Sequence, residues 1–340
     1  MAAPRRGGLA VNRLVVIRPG VFTTVQDLGR PGYAHLGVPR GGAADTLSLR
    51  IANRLLGNDE SDAAIECTVH GPRFSVDADT LLCLAGADTA EATVSKAGGG
   101  EPIATWQPTP VAAGTEIDIG PMAPGCRTLL AIAGGVRTQP VLGSRSMHVT
   151  SGIACDGEPL REGDTIPIGS IGPGLHVPAL PSELRTRIQA SLLSEPLRLV
   201  PAAHTERFDD HALRSLTRQR FTVESRSDRT GVRLRGVHAD PPLIDGLESE
   251  GVVPGSVQIP PSGAPIVLGV DGPTTGGYPV IATVIEADLH ALAQRRPGDT
   301  ITFSWTDLAN AARAKKAIGT LVNAVPSPGA SAHYSRERGG

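Results

Sequence analysis

Four loop segments of this sequence combine arginine, carboxylate, hydroxyl and glycine residues, a mixture suited to binding and polarising small polar ligands. The first segment, Pro19–Asn58, contains Asp27 and Arg30, followed by Gly41 and Gly42 just before a predicted helix. Backbone N–H groups near a helix start favour an anion, so this segment is a candidate anion site. The alternative is a turn in which Asp27 and Arg30 pair with each other, and the spacing leaves both open.

The other three segments lie in the second half of the chain: Ser227–Gly231, Ser249–Gly251 followed by Gln258, and Thr274–Pro279. The run Thr-Thr-Gly-Gly that begins the last segment can form a nest of N–H and O–H donors. Such a nest would hold a carboxylate, a phosphate or a developing oxyanion. A tight β-turn would use the same residue types, so this alternative stays open.

A carboxylate also occurs in an apolar stretch, at Glu66 in the run Ala-Ile-Glu-Cys-Thr. An acid inside an apolar strand needs a hydrogen-bonding partner unless it faces solvent. Glu66 is therefore predicted to be either a site residue or a structural acid whose carboxylate is satisfied.

A weak repeat relates the two halves of the chain. Arg30 and Arg229 each begin the pattern Arg-x-Gly-x4-Gly-Val. The pattern predicts a duplicated β domain whose equivalent loops meet at one cleft, a common place for a small-molecule site. The alternative is that each arginine pairs locally, Arg30 with Asp27 and Arg229 with Asp228.

The elements that must position these residues are short, because 41 glycines and 29 prolines divide the chain into small pieces. The predicted strands are Leu14–Arg18, Thr80–Ala85, Thr115–Ile119, Arg127–Ala133, Leu197–Pro201, Phe221–Glu224, Pro265–Val270, Val280–Ile285 and Thr300–Trp305. The predicted helices are 42–56, Glu183–Leu193 and Glu286–Arg296.

A proline-bracketed stretch between Pro173 and Pro196 divides the chain and predicts its domain organisation. The predicted segments are a disordered extension at 1–11, a first β domain at 12–176, a linker with a short helix at 177–196, a second β domain at 197–310 and a disordered tail at 323–340.

Composition excludes several classes of partner. The net charge is −2, the basic residues are dispersed and only 3% of residues are aromatic, so nucleic-acid binding is not expected. No apolar run reaches the length of a membrane span, and residues 1–8 lack the apolar core of a secretory signal. A cytoplasmic protein is the default expectation.

Absent motifs narrow the chemistry further. The sequence has neither a phosphate-binding P-loop nor a dinucleotide fingerprint. Its nine histidines lack ligand spacing, and no metal site is predicted. None of the three lysines, Lys96, Lys315 and Lys316, has the methionine flanks of a biotin-carrier loop. No covalent biotin is expected, and carboxybiotin would have to arrive on another protein.

The segment Pro19–Asn58 closely resembles the opening of the family called allophanate hydrolase subunit 2, also known as carboxyltransferase subunit 2 or the 5-oxoprolinase C subunit. Five later blocks resemble the same family in order: Leu130–Val136, Val141–Ser146, Ser227–Gly236, Glu248–Gly263 and Thr274–Leu289. The resemblance covers roughly residues 14–305 and specifies the family more strongly than the substrate.

The resemblance implies a mainly β fold of two tandem cyclophilin-like β-barrel domains with a few short helices. It implies a complex with a smaller subunit 1 homologue, similar to the 5-oxoprolinase B subunit. Three functions follow from it. The first is ATP-dependent opening of 5-oxo-L-proline to L-glutamate together with a large subunit. The second is carboxyl transfer from carboxybiotin to urea or a related amide, with a biotin carboxylase. The third is a regulatory binding protein that antagonises a kinase inhibitor.

Combined with the local patterns, the resemblance gives the candidate site residues. The candidate catalytic residues are Asp27, Arg30, Arg229 and Glu250. The candidate substrate-binding residues are Gly41, Gly42, Glu66, Arg145, Ser227, Asp228, Gln258, Thr274, Thr275, Gly276, Gly277 and Tyr278. One departure is Pro273, since the family often carries a polar residue such as glutamine before the Thr-Thr-Gly-Gly run.

Overall fold

The computed structural model describes residues 12–95, 100–171, 179–236 and 247–328. The predicted extension at 1–11, the start of the predicted linker at 177–178 and most of the predicted tail at 323–340 lie outside the described residues.

The described chain is mainly β, and its strands fall into two lobes. We call residues 12–171 the first lobe and residues 197–305 the second lobe. The strands of the first lobe are β1 (Arg13–Arg18), β2 (Phe22–Gln26), β3 (Ala64–Thr68), β4 (Arg73–Val76), β5 (Thr80–Gly86), β6 (Thr93–Ser95), β7 (Gly100–Pro102), β8 (Thr109–Val111), β9 (Glu116–Asp118), β10 (Arg127–Ile132) and β11 (Thr165–Pro167). The strands of the second lobe are β12 (Leu197–Pro201), β13 (Phe221–Val223), β14 (Gly231–Arg235), β15 (Glu250–Gly251), β16 (Ser256–Gln258), β17 (Ile266–Leu268), β18 (Thr275–Gly276), β19 (Val280–Val284), β20 (Thr300–Ile301) and β21 (Phe303–Trp305).

Five α-helices occur among the described residues: α1 (Thr46–Leu55), α2 (Ser182–Leu192), α3 (Asp210–Arg218), α4 (Leu289–Ala293) and α5 (Leu308–Asn323). Helix α1 begins after Asp45, whose carboxylate accepts a hydrogen bond from the Ser48 N–H at 2.9 Å. It ends before Gly57, which adopts the left-handed conformation that commonly follows a helix. Within the described part of the chain, no helix combines the length and the apolar character needed to cross a bilayer.

The first lobe consists of two sheets and a covering helix. One sheet has the strand order β11-β1-β4-β9-β6-β7, and the other has β2-β3-β10-β5-β8. Every residue of β5 and β10 is buried, because both faces of their sheet are covered. Leu82 and Leu84 belong to the core between the sheets, whereas Leu81 and Cys83 belong to the core beneath α1.

The second lobe is a nearly closed barrel. Its eight-stranded sheet has the order β20-β13-β14-β17-β16-β19-β12-β21. The two edge strands, β20 and β21, are separated in sequence only by Thr302, so the chain itself joins the sheet edges. Phe221 and Phe303 lie in the core with ring centroids 5.6 Å apart. A separate ribbon of β15 and β18 pairs Glu250 with Gly276.

Each of the nine predicted strands overlaps an observed strand, and the range 300–305 is split into two at Thr302. The helix predicted over Glu286–Arg296 is shorter: a 3-10 turn at Glu286–Asp288 leads into five-residue α4. The helix predicted at 42–56 begins four residues later than expected, because Asp45 caps it.

Two helices were not predicted from the sequence. Helix α3 buries only Ala212 and Leu216, and α5 buries only Leu321 and Val322. Helix α3 is nonetheless clearly amphipathic, so its sequence does carry a helical period, whereas the buried residues of α5 lie only in its last turn.

The end of α5 packs back against the first lobe. Arg54 on α1 donates hydrogen bonds from Nε to the Val325 carbonyl at 2.7 Å and from Nη2 to the Asn323 carbonyl at 3.1 Å. Val325 is buried in the core beneath α1. Residues 324–328, which were assigned to a disordered tail, therefore include an ordered, buried segment.

Candidate functional site

Asp27 follows β2 and binds a segment of the same lobe that is distant in sequence. Its Oδ1 accepts hydrogen bonds from the Gly29 N–H at 2.8 Å and from the hydroxyls of Ser144 and Ser146 at 2.6 and 2.5 Å. Its Oδ2 accepts the Arg145 N–H at 2.6 Å. The carboxylate is fully engaged by these groups, and the alternative of a local Asp27–Arg30 ion pair is not realised among the described contacts. Arg145 contributes its backbone to this arrangement.

The side chain of Arg30 is only 1% exposed and is incompletely satisfied. Its Nη2 donates to the Ser146 carbonyl, whereas Nε and Nη1 have no hydrogen-bond partner among the described residues. Burial lowers the pKa of this guanidinium, and the opposing fields of Asp27 and Asp271 do not fully compensate. A buried cation with free donors favours an added anion.

Gly41 and Gly42 lie beside Arg30 but do not offer the predicted anion site. The Gly41 N–H donates to the Val270 carbonyl at 3.1 Å, and the Ala44 N–H donates to Glu66 Oε2 at 2.7 Å. Both donors are occupied by the chain itself. The glycines are instead required by close packing, since a Cβ at Gly41 would lie 3.2 Å from Arg30 Nη1.

Arg229 joins the lobes through a buried ionic network. Its Nε and Nη2 donate to the two oxygens of Asp271 at 2.7 and 3.0 Å, while Nη1 donates to Glu66 and Nη2 also donates to the Gly42 carbonyl at 2.6 Å. Arg229 is 7% exposed, so this network is buried. The predicted local partner, Asp228, does not bind it. Four of its five N–H donors are already used.

Glu66 on β3 is a satisfied structural acid in this geometry. Besides Arg229 and the Ala44 N–H, its carboxylate lies 3.7 Å from Arg127 Nε. This arrangement realises the structural alternative left open by the sequence.

Ser227 and Asp228 stabilise the turn before β14. The Asp228 carboxylate accepts the N–H groups of Thr230 and Gly231 at 2.8 and 3.1 Å. The Ser227 hydroxyl accepts the Arg233 N–H at 3.0 Å. Their binding role stays a prediction, and the structure engages both in local backbone contacts.

The run Thr274 to Gly277 is neither a donor nest nor a tight turn. Thr275 and Gly276 form β18 and pair with Glu250 and Gly251 of β15, and the Thr274 carbonyl accepts the Val252 N–H at 3.0 Å. The backbone is extended because strand pairing satisfies it. The Thr-Thr-Gly-Gly motif therefore lies in a two-stranded β-ribbon and does not form a nest of donors.

Gln258 at the end of β16 lies directly beneath that ribbon. A Cβ at Gly276 would approach its Nε2 to 2.4 Å, and the side chain is 5% exposed. The Nε2 atom has no partner among the residues the structure describes.

Two spaces adjoin these residues. The larger is a cleft of about 570 Å³ between the lobes. Its polar lining includes Arg30, Arg40, Thr274 and Lys315 of α5, and the rest of its wall, including Pro273, is mostly aliphatic. Lys315 is paired with Glu286 at 2.7 Å. The smaller is a cavity of about 150 Å³ within the second lobe, lined among others by His204, Glu250, Gly276 and Tyr278.

The sequence-predicted residues thus separate into groups. Arg30 and Thr274 line the cleft, and Glu250, Gly276 and Tyr278 line the cavity. Asp27 binds Ser146 within the first lobe, and Arg229 binds Gly42 and Glu66 across the lobe boundary; none of these four predicted residues is among those that line the cleft or the cavity. Over the described ranges, no group of three or more His, Cys, Asp or Glu side chains is arranged to hold a metal ion.

Sequence reasoning missed Asp271 and His204. Asp271 stands three residues before Thr274, so a carboxylate beside that motif was an available signal. His204 follows β12 without any local motif, and only the fold brings it to Glu250.

A model of the carboxyltransferase domain, subdomains A and B, matches residues 36–305. The chain belongs to this carboxyltransferase family. The family relationship predicted from the sequence blocks is thereby confirmed.

Among family members, the 5-oxoprolinase C subunit of Escherichia coli (strain K12) is 35% identical over 304 residues, which covers 89% of this chain and 94% of that protein. The chain is therefore a homologue of the 5-oxoprolinase C subunit. The urea amidolyase of Lachancea kluyveri is 32% identical over 308 residues, covering 85% of this chain and 16% of that much longer protein.

Solved structures show the same relationship. The crystal structure of the K. lactis urea amidolyase matches with a TM-score of 0.79 and 26% identity, over 93% of this chain and 20% of that chain. The crystal structure of TTHA0988 matches with a TM-score of 0.73 and 33% identity, over 87% of this chain and 56% of that one. This chain therefore corresponds to one part of larger carboxyltransferase-family proteins.

Proposed function

We propose that the chain acts as the C component of a 5-oxoprolinase complex, which opens 5-oxo-L-proline to L-glutamate with consumption of ATP. The observation that carries this proposal is the extent of the homology. The alignments cover 94% and 91% of the C subunits of Escherichia coli and Haemophilus influenzae, at 35% identity in both. The corresponding share of the Lachancea kluyveri urea amidolyase is only 16%.

The inter-lobe cleft supports a role in handling an anionic reactant. Arg30 contributes a buried guanidinium with free donors, and most of its neighbours in the cleft are aliphatic. In such an environment a guanidinium binds a carboxylate or phosphate more strongly than in water. Its fork would contact two oxygens of the anion at once.

The complex would contain a subunit 1 homologue, of the same type as the 5-oxoprolinase B subunit, and a large subunit that binds ATP. We propose this assembly because the chain carries no P-loop, so nucleotide chemistry must come from another chain. A cytoplasmic location, where ATP is available, is part of the same proposal.

We also propose that the two lobes are tandem cyclophilin-like domains, at 12–176 and 197–310. The second lobe supports this because its core cluster draws only on residues 197–303. A unit with its own hydrophobic core is the usual mark of a domain.

The decisive experiment reconstitutes the complex. The chain is co-expressed with A-type and B-type subunits, and glutamate release from 5-oxoproline is measured with and without ATP. We expect ATP-dependent release by the complex and none by the isolated chain. Steady release by the isolated chain would contradict the subunit role.

The second candidate is a biotin-dependent carboxyltransferase subunit acting on urea or a related amide, favoured by the urea amidolyase homology. It would require carboxybiotin from a separate carrier. Urea-stimulated, bicarbonate-dependent ATP hydrolysis with a biotin carboxylase, without glutamate release in the first assay, would select it. A streptavidin blot of the chain from its native cell should show no band under either function.

A further inference from the structure

The cavity of the second lobe contains a histidine whose tautomer is fixed by the fold. His204 is 4% exposed, and its Nδ1 accepts a hydrogen bond from the Val280 N–H at 3.1 Å. A ring nitrogen that accepts carries no proton, so the neutral ring bears its hydrogen on Nε2. His204 therefore presents a donor at Nε2.

An acceptor stands next to this donor. Glu250 Oε2 lies 3.5 Å from His204 Nε2, at the long limit of hydrogen bonding, and the Glu250 side chain is 52% exposed. The backbone of Glu250 is fixed beside the cavity, since β15 pairs Glu250 with Gly276 in the ribbon. Donor and acceptor are thus side by side without satisfying each other well.

A ligand group that satisfies both residues presents an acceptor to His204 and a donor to Glu250 on the same edge. A cis-amide edge, as in a lactam or a cyclic urea, presents C=O and N–H in the same direction. An open-chain trans amide points them in opposite directions. A carboxylate would accept from His204 but meet the charge of Glu250, and an ammonium group would leave the His204 donor unused.

The dimensions of the cavity agree with a small ring. About 150 Å³ is well below the roughly 300–1,000 Å³ of drug-sized sites and corresponds to about five waters at 30 Å³ each. Gln258 Nε2, which lacks a hydrogen-bond partner among the described residues, lies behind Gly276, one residue of the cavity wall.

We infer that this cavity binds the cis-amide edge of a small ring, with the carbonyl accepting from His204 Nε2–H and the ring N–H donating to Glu250. The inference rests on the proposed function and refines it, because the lactam of 5-oxoproline carries this edge. The ureido ring of biotin carries it as well. The cavity shares Val252, Val253 and Thr283 with the inter-lobe cleft, so an amide reactant and an anionic reactant would occupy neighbouring spaces.

The first test uses the isolated full chain and small ring probes. Ring ¹⁵N NMR of His204 should show a protonated Nε2 and an unprotonated Nδ1 in the free chain. 2-Pyrrolidinone should perturb the His204 and Val280 signals saturably, whereas N-methyl-2-pyrrolidinone, which lacks the N–H, should not. Equal binding of the two probes, no response to 2-pyrrolidinone, or the opposite tautomer would overturn the inference.

Two matched variants test whether Glu250 accepts the hydrogen bond from the ring N–H. Glu250→Leu should weaken 2-pyrrolidinone binding by at least tenfold, and Glu162→Leu, at an exposed turn of the first lobe, should leave it unchanged. Unchanged binding in Glu250→Leu, with the chain folded by circular dichroism, would remove Glu250 from the site.

Further measurements distinguish which ring the cavity binds, and they distinguish a failure of this inference from a failure of the proposed function. 5-Oxoproline binding without 2-imidazolidinone binding would assign the cavity to the lactam, and the reverse to a ureido ring. In the reconstituted complex, Glu250→Leu should raise KM for 5-oxoproline and leave KM for ATP unchanged. A complex that turns over 5-oxoproline with an unchanged KM in this variant contradicts only the inference. Ring binding by the chain without turnover by the complex contradicts only the proposed function.

Discussion

Arg229 in the second lobe forms an ion pair with Glu66 in the first lobe. The same guanidinium binds both oxygens of Asp271. Burial by itself would lower the pKa of Arg229, but these two carboxylates raise it above the ordinary arginine value. The network fixes a charged contact at the lobe boundary, and its loss would leave two buried carboxylates without their partner.

Replacement of Arg229 should therefore mainly lower the free energy of unfolding. Arg229→Met should lower the free energy of unfolding by about 3–5 kcal/mol, the usual cost of breaking a buried ion pair from one side. Arg229→Lys keeps the charge but loses the fork, so a loss of roughly 1.5–3 kcal/mol is expected. Urea unfolding measures both. Arg233→Met, at an exposed position of β14, is the control and should stay within about 0.5 kcal/mol. Equal unfolding midpoints for Arg229→Met and the control would contradict the network's role.

Replacement of Arg30 should lower the turnover of 5-oxoproline by the reconstituted complex. Arg30→Lys in the reconstituted complex should lower kcat/KM roughly 10- to 150-fold, which corresponds to about 1.5–3 kcal/mol for hydrogen bonds to a charged group. Arg187→Lys on the exposed face of α2 is the matched control. Added methylguanidinium should partly restore an Arg30→Ala complex, an effect that a purely structural role would not produce. Wild-type kinetics in Arg30→Lys would exclude this arginine from the site.

Gly42 should tolerate no side chain. It has φ +97°, and a Cβ would lie 2.9 Å from the Gly29 nitrogen. Gly143 has φ +78°, and no described atom lies within 4 Å of its Cβ position. Gly143→Ala should cost about 1–2 kcal/mol from the left-handed backbone alone. Gly42→Ala should cost roughly 1–3 kcal/mol more, because backbone atoms must move. Thermal unfolding compares the two, and equal losses would refute the close-packing argument.

The buried thiols should make stability fall at alkaline pH. Burial raises the pKa of Cys83 to about 12 and also raises the pKa of Cys67 above the ordinary thiol value near 9. Because the folded pKa values lie above the unfolded ones, this contribution is complete below about pH 9 and is lost as pH rises further. At pH 10 the expected loss is roughly 1 kcal/mol per buried thiol.

Urea midpoints at pH 8 and pH 10 measure this loss, and Cys83→Ala should reduce the difference between them. An unchanged difference in that variant would contradict the assignment. In the folded chain, a thiol reagent at pH 8 should label half-buried Cys155 before the other cysteines.

Several features were accessible from the sequence because they depend on local pattern. The strands at Thr80–Gly86 and Arg127–Ile132 are buried on both faces and are continuous apolar runs, which neighbouring residues alone reveal. Helix α5 was missed because it buries only two residues, both in its last turn, whereas α3 is short but amphipathic and its helical period was an available signal.

The sequence by itself determined the family, the mainly β character and the presence of Arg30, Glu250 and the Thr-Thr-Gly-Gly run in the same molecule, because these follow from residue identity and spacing. Only the tertiary structure decided the roles of their neighbours. Arg229 pairs with Glu66 and Asp271, 163 and 42 residues away, rather than with adjacent Asp228. His204 lies 3.5 Å from Glu250 for the same reason: the packed strands decide which groups face a guanidinium or an imidazole, and sequence distance does not enter that choice.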